Sequence, residues 1–216
     1  MTGRHYPTER HDPVQARPRA SMRRATAARS ETCSLPIPAL PGEGAFAASG
    51  TNVAVSGANH VWIGTTASRV LRSADGGRSW AISQTPIATA NATGIFSIAF
   101  KDPSHGVVVG GNYEQESTPG NHAAVTSDGG ATWTLSKAPA SGFRSVAAWA
   151  SATGRLLAIG PAGADWSGDD GRTWTAVSMK VPAGTPAGFD TASFAPGSGV
   201  GWAIGAGGRI SKLTMQ

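Results

Sequence analysis

Carboxylates and hydroxyls recur at fixed spacing in this chain, and both residue types could bind a metal ion or transfer a proton. Asp75, Asp128 and Asp169 each stand two residues after a Ser or Thr and two residues before a Gly. A second hydroxyl residue and a Trp close each copy, so the shared pattern is [ST]-x-D-x-G-x-[ST]-W. A pattern this long that occurs three times indicates an internal repeat. Its main positions are Ser73, Asp75, Gly77 and Trp80, then Thr126, Asp128, Gly130 and Trp133, then Ser167, Asp169, Gly171 and Trp174.

The three Asp residues have two competing interpretations. One is metal binding or acid catalysis. The other is turn closure, because an Asp side chain accepts hydrogen bonds from backbone N–H groups that follow it. The Gly supplies a positive φ angle, and the Trp is large enough to fill the space between neighbouring sheets. A single carboxylate per repeat would lie far from the others, so we favour turn closure and predict no catalytic role for these positions.

The segments between the motifs predict the elements that position them. Each repeat contains short runs of β-branched and aromatic residues, then the motif, then a further run such as 132–136. Asp75 and Asp128 are 53 residues apart, and Asp128 and Asp169 are 41 apart. Four strands per repeat at this period are typical of a β-propeller. The runs are 44–49, 52–56, 60–64 and 69–73; 94–100, 106–110 and 122–126; 142–149, 154–160 and 163–167; 188–194, 199–205 and 208–213.

These residues carry a family resemblance. The motif resembles the Asp-box, or BNR repeat, and residues 38–216 resemble the propellers related to photosystem II stability/assembly factors. That resemblance implies an all-β fold with three full blades and one partial blade of a six- or seven-bladed ring. It also implies a non-enzymatic scaffold or binding protein that corresponds to the C-terminal half of its relatives. Some relatives are labelled oxidoreductases or glycosyl hydrolases.

The fourth repeat stops before a motif is reached, so we expect an incomplete ring with an unpaired blade edge. Such an edge is a site for self-association. A truncated or frame-shifted gene product and a half-propeller completed by another chain are both compatible with this pattern.

Sialidases share the Asp-box fold, so a sialidase-like or glycosyl-hydrolase-like remnant is the alternative function. Sialidase chemistry uses three Arg residues, a Tyr paired with a Glu, and an acidic Asp. Tyr113 has Glu114 and Glu116 beside it, but all three lie in one insertion, 112–122. The Arg candidates Arg69, Arg72 and Arg144 have no family-like context. We therefore favour a protein without enzymatic activity.

The insertion is the longest irregular stretch in the repeats, and long loops often carry function. Its candidate binding residues are Tyr113, Glu114, Glu116 and His122. A tolerated surface insertion is the alternative interpretation. The His residues lack ligand spacing, and the Gly-rich stretch 205–208 lies between strands rather than before a helix, so no metal or cofactor is predicted.

The net charge of +5 comes mainly from the first 37 residues. This segment has seven Arg against Glu9, Asp12 and Glu31 and lacks hydrophobic periodicity, so it is predicted to be a disordered basic tail (1–37) ahead of the propeller (38–216). The repeats are nearly neutral, which argues against a nucleic-acid partner. Propellers commonly bind partners on the face where their loops converge, so a protein partner is expected. No apolar run is long enough for a membrane span or resembles a secretory signal, and the compartment stays open.

Overall fold

The structure is a computed structural model that describes residues 37–46, 50–138, 140–178 and 188–216. The predicted basic tail, including Cys33, lies outside the described residues apart from Ile37, and the boundary at residue 38 stays a prediction. Within the described ranges, no helix is long and apolar enough to cross a membrane.

Fifteen strands form four antiparallel sheets among the described residues, and each sheet is a simple meander. Blade 1 contains β1 (Val53–Ser56), β2 (His60–Gly64), β3 (Arg69–Ser73) and β4 (Ala81–Gln84). Blade 2 contains β5 (Ile95–Phe100), β6 (Gly106–Gly110), β7 (Ala123–Thr126) and β8 (Thr134–Leu135). Blade 3 contains β9 (Val146–Ala150), β10 (Arg155–Gly160), β11 (Gly163–Ser167) and β12 (Thr175–Val177). Blade 4 contains β13 (Thr191–Phe194), β14 (Val200–Gly205) and β15 (Arg209–Thr214), with a 3₁₀ turn at Ala206–Gly208 between the last two strands.

The four sheets are consecutive propeller blades, three with four strands and one with three. Strands β1, β5, β9 and β13 contact one another in order, so each is the innermost strand of its blade. This confirms the predicted all-β, incomplete propeller. The predicted run 44–49 differs, because residues 44–46 form no strand and residues 47–49 lie outside the described ranges.

The core consists of three apolar clusters, one between each pair of neighbouring blades. Side chains alternate between the two faces of a strand. In blades 2 and 3, the apolar residues on one face therefore pack against the preceding blade, and those on the other face pack against the following blade. Between blades 1 and 2, the Trp62 ring stacks on Phe100 with centroids 3.6 Å apart, and its Nε1 donates to the Gly129 carbonyl at 2.8 Å.

A buried serine links each of the first two blades to the motif turn of the next. Ser83 Oγ donates to the Gly130 carbonyl at 2.6 Å and accepts from Trp133 Nε1 at 3.2 Å. Ser136 repeats this arrangement one blade later, with the Gly171 carbonyl at 2.6 Å and Trp174 Nε1 at 3.3 Å. The outer strands therefore hold the motif turns of their neighbours.

Blade 3 carries Val177 at the corresponding position, three residues after its motif Trp. The strand register of blade 4 puts Leu213 where the other blades have the first Ser or Thr of the motif, because Gly201 pairs with Leu213 as Val61 pairs with Ser73. Two residues later Met215 stands in place of the Asp. Val177, Leu213 and Met215 all belong to the apolar cluster between blades 3 and 4, so the polar link is replaced by apolar contact on both sides.

Candidate binding site

The three motif turns connect the third and fourth strands of blades 1, 2 and 3. In the second turn, Asp128 accepts hydrogen bonds from Thr126 Oγ1, from the Thr132 backbone N–H and from Thr132 Oγ1, at 2.8, 2.9 and 2.6 Å. The Gly130 N–H donates to Thr126 Oγ1 at 2.9 Å. The turns at Asp75 and Asp169 have the same contacts within 0.1 Å. Each carboxylate is thus engaged inside its own turn.

These contacts stabilise the ionised carboxylates. Hydrogen bonds from Thr132 hold the pKa of Asp128 at about 2, and those from Ser79 hold the pKa of Asp75 well below its usual range. Burial acts to raise the pKa of Asp169, but the hydrogen bonds from Thr173 and Ser167 outweigh it and the pKa is lowered. An acid this strong does not protonate a substrate at neutral pH. Among the described residues, no cluster of three His, Cys, Asp or Glu side chains is arranged to hold a metal ion.

A cleft with a volume of about 550 Å³ opens where the first strands of blades 2, 3 and 4 begin. It is larger than cavities of about 230–290 Å³ elsewhere on the blades. Phe96 comes from β5, Phe143 and Ser145 precede β9, and Asp190 precedes β13. The remaining lining residues are Phe46, Tyr113, Glu116 and Pro161.

Four aromatic rings form the apolar part of the cleft. Phe46 stacks on Phe96 with centroids 3.7 Å apart, and Phe143 meets Phe96 edge-on at 4.6 Å. Tyr113 lies at 6.0 Å from Phe96 and 6.2 Å from Phe46, also edge-on. Phe96 and Phe143 are buried, whereas Tyr113 is 45% exposed. The cleft therefore offers a fixed aromatic floor with a partly exposed Tyr at its rim.

Backbone hydrogen bonds hold the insertion loop over this floor. The Tyr113 N–H donates to the Ala92 carbonyl at 3.2 Å, and the Phe143 N–H donates to the Glu116 carbonyl at 2.8 Å. A Cβ at Gly142 would lie only 2.3 Å from the Glu116 carbonyl oxygen, so this close approach requires glycine. The loop thus bridges blades 2 and 3 at the cleft.

The structure separates the four residues predicted for a binding loop. Tyr113 and Glu116 line the cleft, whereas Glu114 is exposed and does not line it. His122 is buried behind the loop, where its ring lies against Gly111 and Gly120. Burial lowers the pKa of His122, and the nearby Arg144 charge acts in the same direction. His122 therefore supports the loop as a neutral side chain.

The charged lining residues of the cleft are two carboxylates, Glu116 and Asp190, and no Lys or Arg accompanies them in its described lining. Arg144 lies beneath the cleft, almost fully buried, and its Nε donates to Asp165 Oδ2 at 2.7 Å. Its Nη1 donates to the Phe143 carbonyl at 2.7 Å, which fixes that part of the floor. The described lining of the cleft mouth therefore contributes negative charge.

The Arg residues weighed for a sialidase clamp lie apart from the cleft lining. Arg69 pairs with Glu43, with Nε and Oε1 2.8 Å apart, and this bond holds the pKa of Glu43 at about 2. Arg144 is committed to Asp165, and Arg72 lies on β3 of blade 1. These three guanidinium groups are therefore not gathered around one ligand position.

Sequence reasoning missed Phe46, Phe96, Phe143 and Asp190 as cleft residues. A usable signal was present, because each repeat from the second onward begins with a Gly followed closely by an aromatic residue, as in Gly142-Phe143 and Gly188-Phe189. Repeated aromatic residues at the start of the innermost strand indicate a shared position at one end of the propeller.

No protein-family model and no curated protein matches the sequence. Among solved structures, an ancestral GH74 enzyme aligns with a TM-score of 0.53 and 20% identity over 70% of this chain and 21% of that chain. The GH74 xyloglucanase from Xanthomonas campestris aligns with a TM-score of 0.52 and 19% identity over 76% of this chain and 30% of that chain. YCF48 bound to D1 peptide aligns with a TM-score of 0.49 and 18% identity over 74% of this chain and 47% of that chain.

At these identities the similarity to the GH74 enzymes establishes the β-propeller fold. The chain spans between about a fifth and a third of the length of these enzymes.

Proposed function

We propose that this chain is a non-enzymatic binding propeller that holds a segment of a partner protein in the aromatic cleft. One observation carries the proposal: the cleft combines four aromatic rings with the carboxylates of Glu116 and Asp190 and no cationic side chain in its described lining. A concave, mostly apolar site with a few polar groups is the usual form of a binding pocket. The resemblance of the repeats to photosystem II stability/assembly factor-like proteins supports the same class of function.

The chemistry of the cleft specifies the segment. The rings of Phe96 and Phe143 accept an apolar or aromatic side chain, since such contacts bury large areas at little entropic cost. The negative mouth favours a Lys or Arg beside that side chain, because complementary charge selects partners and speeds their encounter. A short segment that carries a hydrophobic residue next to a basic one is the expected ligand.

Selection of random peptides displayed on phage against the immobilised full chain tests this function. Enriched peptides should share that pattern, and fluorescence anisotropy should give their affinity. Glu116→Lys should weaken binding about tenfold, because one charge contact at a partly exposed site contributes on the order of 1 kcal/mol. Glu114→Lys is the matched control, since Glu114 belongs to the same loop but does not line the cleft.

Two results would contradict the proposal. The first is that phage selection enriches no peptide that competes for binding in the cleft. An equal loss of affinity in Glu116→Lys and Glu114→Lys is the other, because it would mean that peptides respond to the general charge of the loop rather than to the cleft.

A glycoside hydrolase is the second candidate, and one observation favours it. Tyr113, Glu116 and Asp190 line the same cleft, and glycosidases work with paired carboxylates or, in sialidases, with a Tyr and a Glu. The absence of Arg from the described lining argues against an acidic sugar. Turnover of a fluorogenic sialoside or a xyloglucan oligosaccharide that disappears in Tyr113→Phe or Asp190→Asn would replace the binding proposal with this one.

A further inference from the structure

A second cavity lies beside the aromatic cleft and shares two of its side chains. It has a volume of about 280 Å³, and Phe46 and Tyr113 line both cavities. Their rings meet edge-on with centroids 6.2 Å apart, so they form a ridge between the two cavities. The rest of the lining comes from residues 41–43, 66–67 and 90–93. We call this cavity the second subsite.

Both cavities open at the same end of the blades. Residues 66–67 connect β2 to β3, just as Pro161 lies between β10 and β11. Residues 90–93 lie between β4 and β5, just as Phe143 and Ser145 lie between β8 and β9. Because every blade is an antiparallel meander, these two types of connection lie at the same end of each blade. A bound segment can therefore run from the cleft across the ridge into the second subsite.

Hydrogen bonds fix both walls of the second subsite. On one side, the Gly44 N–H donates to Thr66 Oγ1 at 3.0 Å, and the Thr66 N–H donates to the Gly44 carbonyl at 2.9 Å. On the other side, the Tyr113 N–H donates to the Ala92 carbonyl at 3.2 Å. A preformed groove of this kind binds a segment at a lower entropic cost than a surface that must first become ordered.

The described lining of the second subsite contributes no unpaired charge. Its charged residue is Glu43, whose carboxylate accepts from Thr65 Oγ1 at 2.7 Å and from Arg69 Nε at 2.8 Å. The Glu43 side chain is 4% exposed, so Arg69 neutralises its charge within the fold. Asn91 is exposed, and its side chain makes no hydrogen bond to another described residue. Because an amide both donates and accepts hydrogen bonds, this subsite favours a neutral polar group.

The two adjoining cavities match the alternation of side chains along an extended chain. Successive side chains of such a segment point to opposite sides, and side chains two positions apart point to the same side at a separation of about 7 Å. When a hydrophobic residue enters the cleft, the residue beside it points toward the mouth, where the carboxylates of Glu116 and Asp190 favour a basic group. The residue two positions away then lies across the ridge, in the second subsite.

We propose that the segment held in the cleft binds as an extended chain and places a neutral polar residue in the second subsite. This residue stands two positions from the hydrophobic one and hydrogen-bonds to the Asn91 amide. The proposal rests on the proposed function, because it concerns the same bound segment. It adds a position that determines specificity and that the cleft alone does not provide.

Fluorescence anisotropy with synthetic peptides and the full chain tests the second subsite. The reference probe is a fluorescein-labelled glycine peptide with a central phenylalanine followed by a lysine. Two further probes carry asparagine two positions before or two positions after the phenylalanine, one for each direction of the bound chain. One of them should bind about fivefold tighter than the reference probe, because it adds an ordinary hydrogen bond between neutral groups.

Two comparisons assign this gain to the second subsite. Asn91→Ala should remove the gain and leave the affinity for the reference probe unchanged. Gln115→Ala is the matched control and should preserve the gain, since Gln115 is an exposed amide in the insertion loop that lines neither cavity. Asparagine placed three positions from the phenylalanine should give no gain, because its side chain then points to the opposite side of an extended chain.

The results separate this proposal from the one on which it rests. If the reference probe binds and neither asparagine probe binds more tightly, the second subsite is refuted and the proposed function stands. A gain that survives Asn91→Ala also refutes it, and a gain at three positions but not at two would mean that the segment binds as a helix. If none of the probes binds, both proposals are refuted.

Discussion

Ser136→Ala tests the serine that links blade 2 to the motif turn of blade 3. Its hydroxyl is buried, donates to the Gly171 carbonyl at 2.6 Å and accepts from Trp174 Nε1 at 3.3 Å. The substitution removes both hydrogen bonds and leaves a carbonyl and an indole N–H without a partner. Each buried unsatisfied group costs about 1–3 kcal/mol, so the free energy of unfolding should fall by about 3 kcal/mol.

The assay is urea denaturation followed by tryptophan fluorescence, with thermal unfolding as a second measurement. About 3 kcal/mol corresponds to a decrease in Tm of roughly 6–12 °C for a chain of this size. Ser178→Ala is the matched control, since this serine is exposed and its removal should change stability by less than about 0.5 kcal/mol.

A double-mutant cycle with Trp174→Phe isolates the contact. Phe lacks the indole N–H, so Ser136→Ala should cost about 1 kcal/mol less in that background than in the wild type. Equal costs in both backgrounds, or a loss below about 1 kcal/mol for Ser136→Ala alone, would refute the reasoning. Such a result would mean that a water molecule satisfies the groups, or that the blades are held by apolar contacts alone.

Three further predictions rest on other contacts of the structure. The pKa of Asp128 is about 2 in the folded state and near 3.9 in the unfolded state. Its contribution to stability is therefore complete above pH about 4.5 and is lost as the pH falls toward 2. Urea midpoints measured across this range should fall less in Asp128→Asn than in the wild type. Arg144→Met should cost about 3–5 kcal/mol in the free energy of unfolding because it leaves the Asp165 carboxylate buried and unpaired, and adding Asp165→Leu should recover part of that loss in the same denaturation assay. Gly142→Ala should push the Glu116 carbonyl out of position and weaken peptide binding in the anisotropy assay at least tenfold, whereas an unchanged affinity would mean that the loop does not need this approach.

Local patterns in the sequence predicted the blades well, because the interactions that form them are short-range. Alternation of apolar residues specifies a strand, and the hydrogen bonds of a motif turn span only the eight residues from Ser73 to Trp80. The insertion was correctly located between the second and third strands of its blade. The predicted strand at 132–136 is shorter in the structure, since only Thr134–Leu135 pair with β7. Trp133, in the same run, contacts the preceding blade and does not pair with β7.

The candidate site was predicted only in part. Tyr113 and Glu116 were selected as loop residues, but their sequence positions do not indicate that they face Phe96 and Phe143. Asp190 was not selected, because it stands 74 residues from Glu116 and only the packing of blade 4 on blade 3 brings it to the same cleft. His122 was grouped with the loop, although burial makes it a support for the loop.

The sequence by itself determined most of the strands, where each motif turn lies and how many blades the described residues build. These features depend on side-chain alternation and on hydrogen bonds between residues a few positions apart. Only the tertiary structure decided the aromatic cleft, the Arg144–Asp165 pair and the serine links. Each of these depends on how one blade packs on the next, and that packing is set by contacts between residues far apart in the chain, which no local pattern encodes.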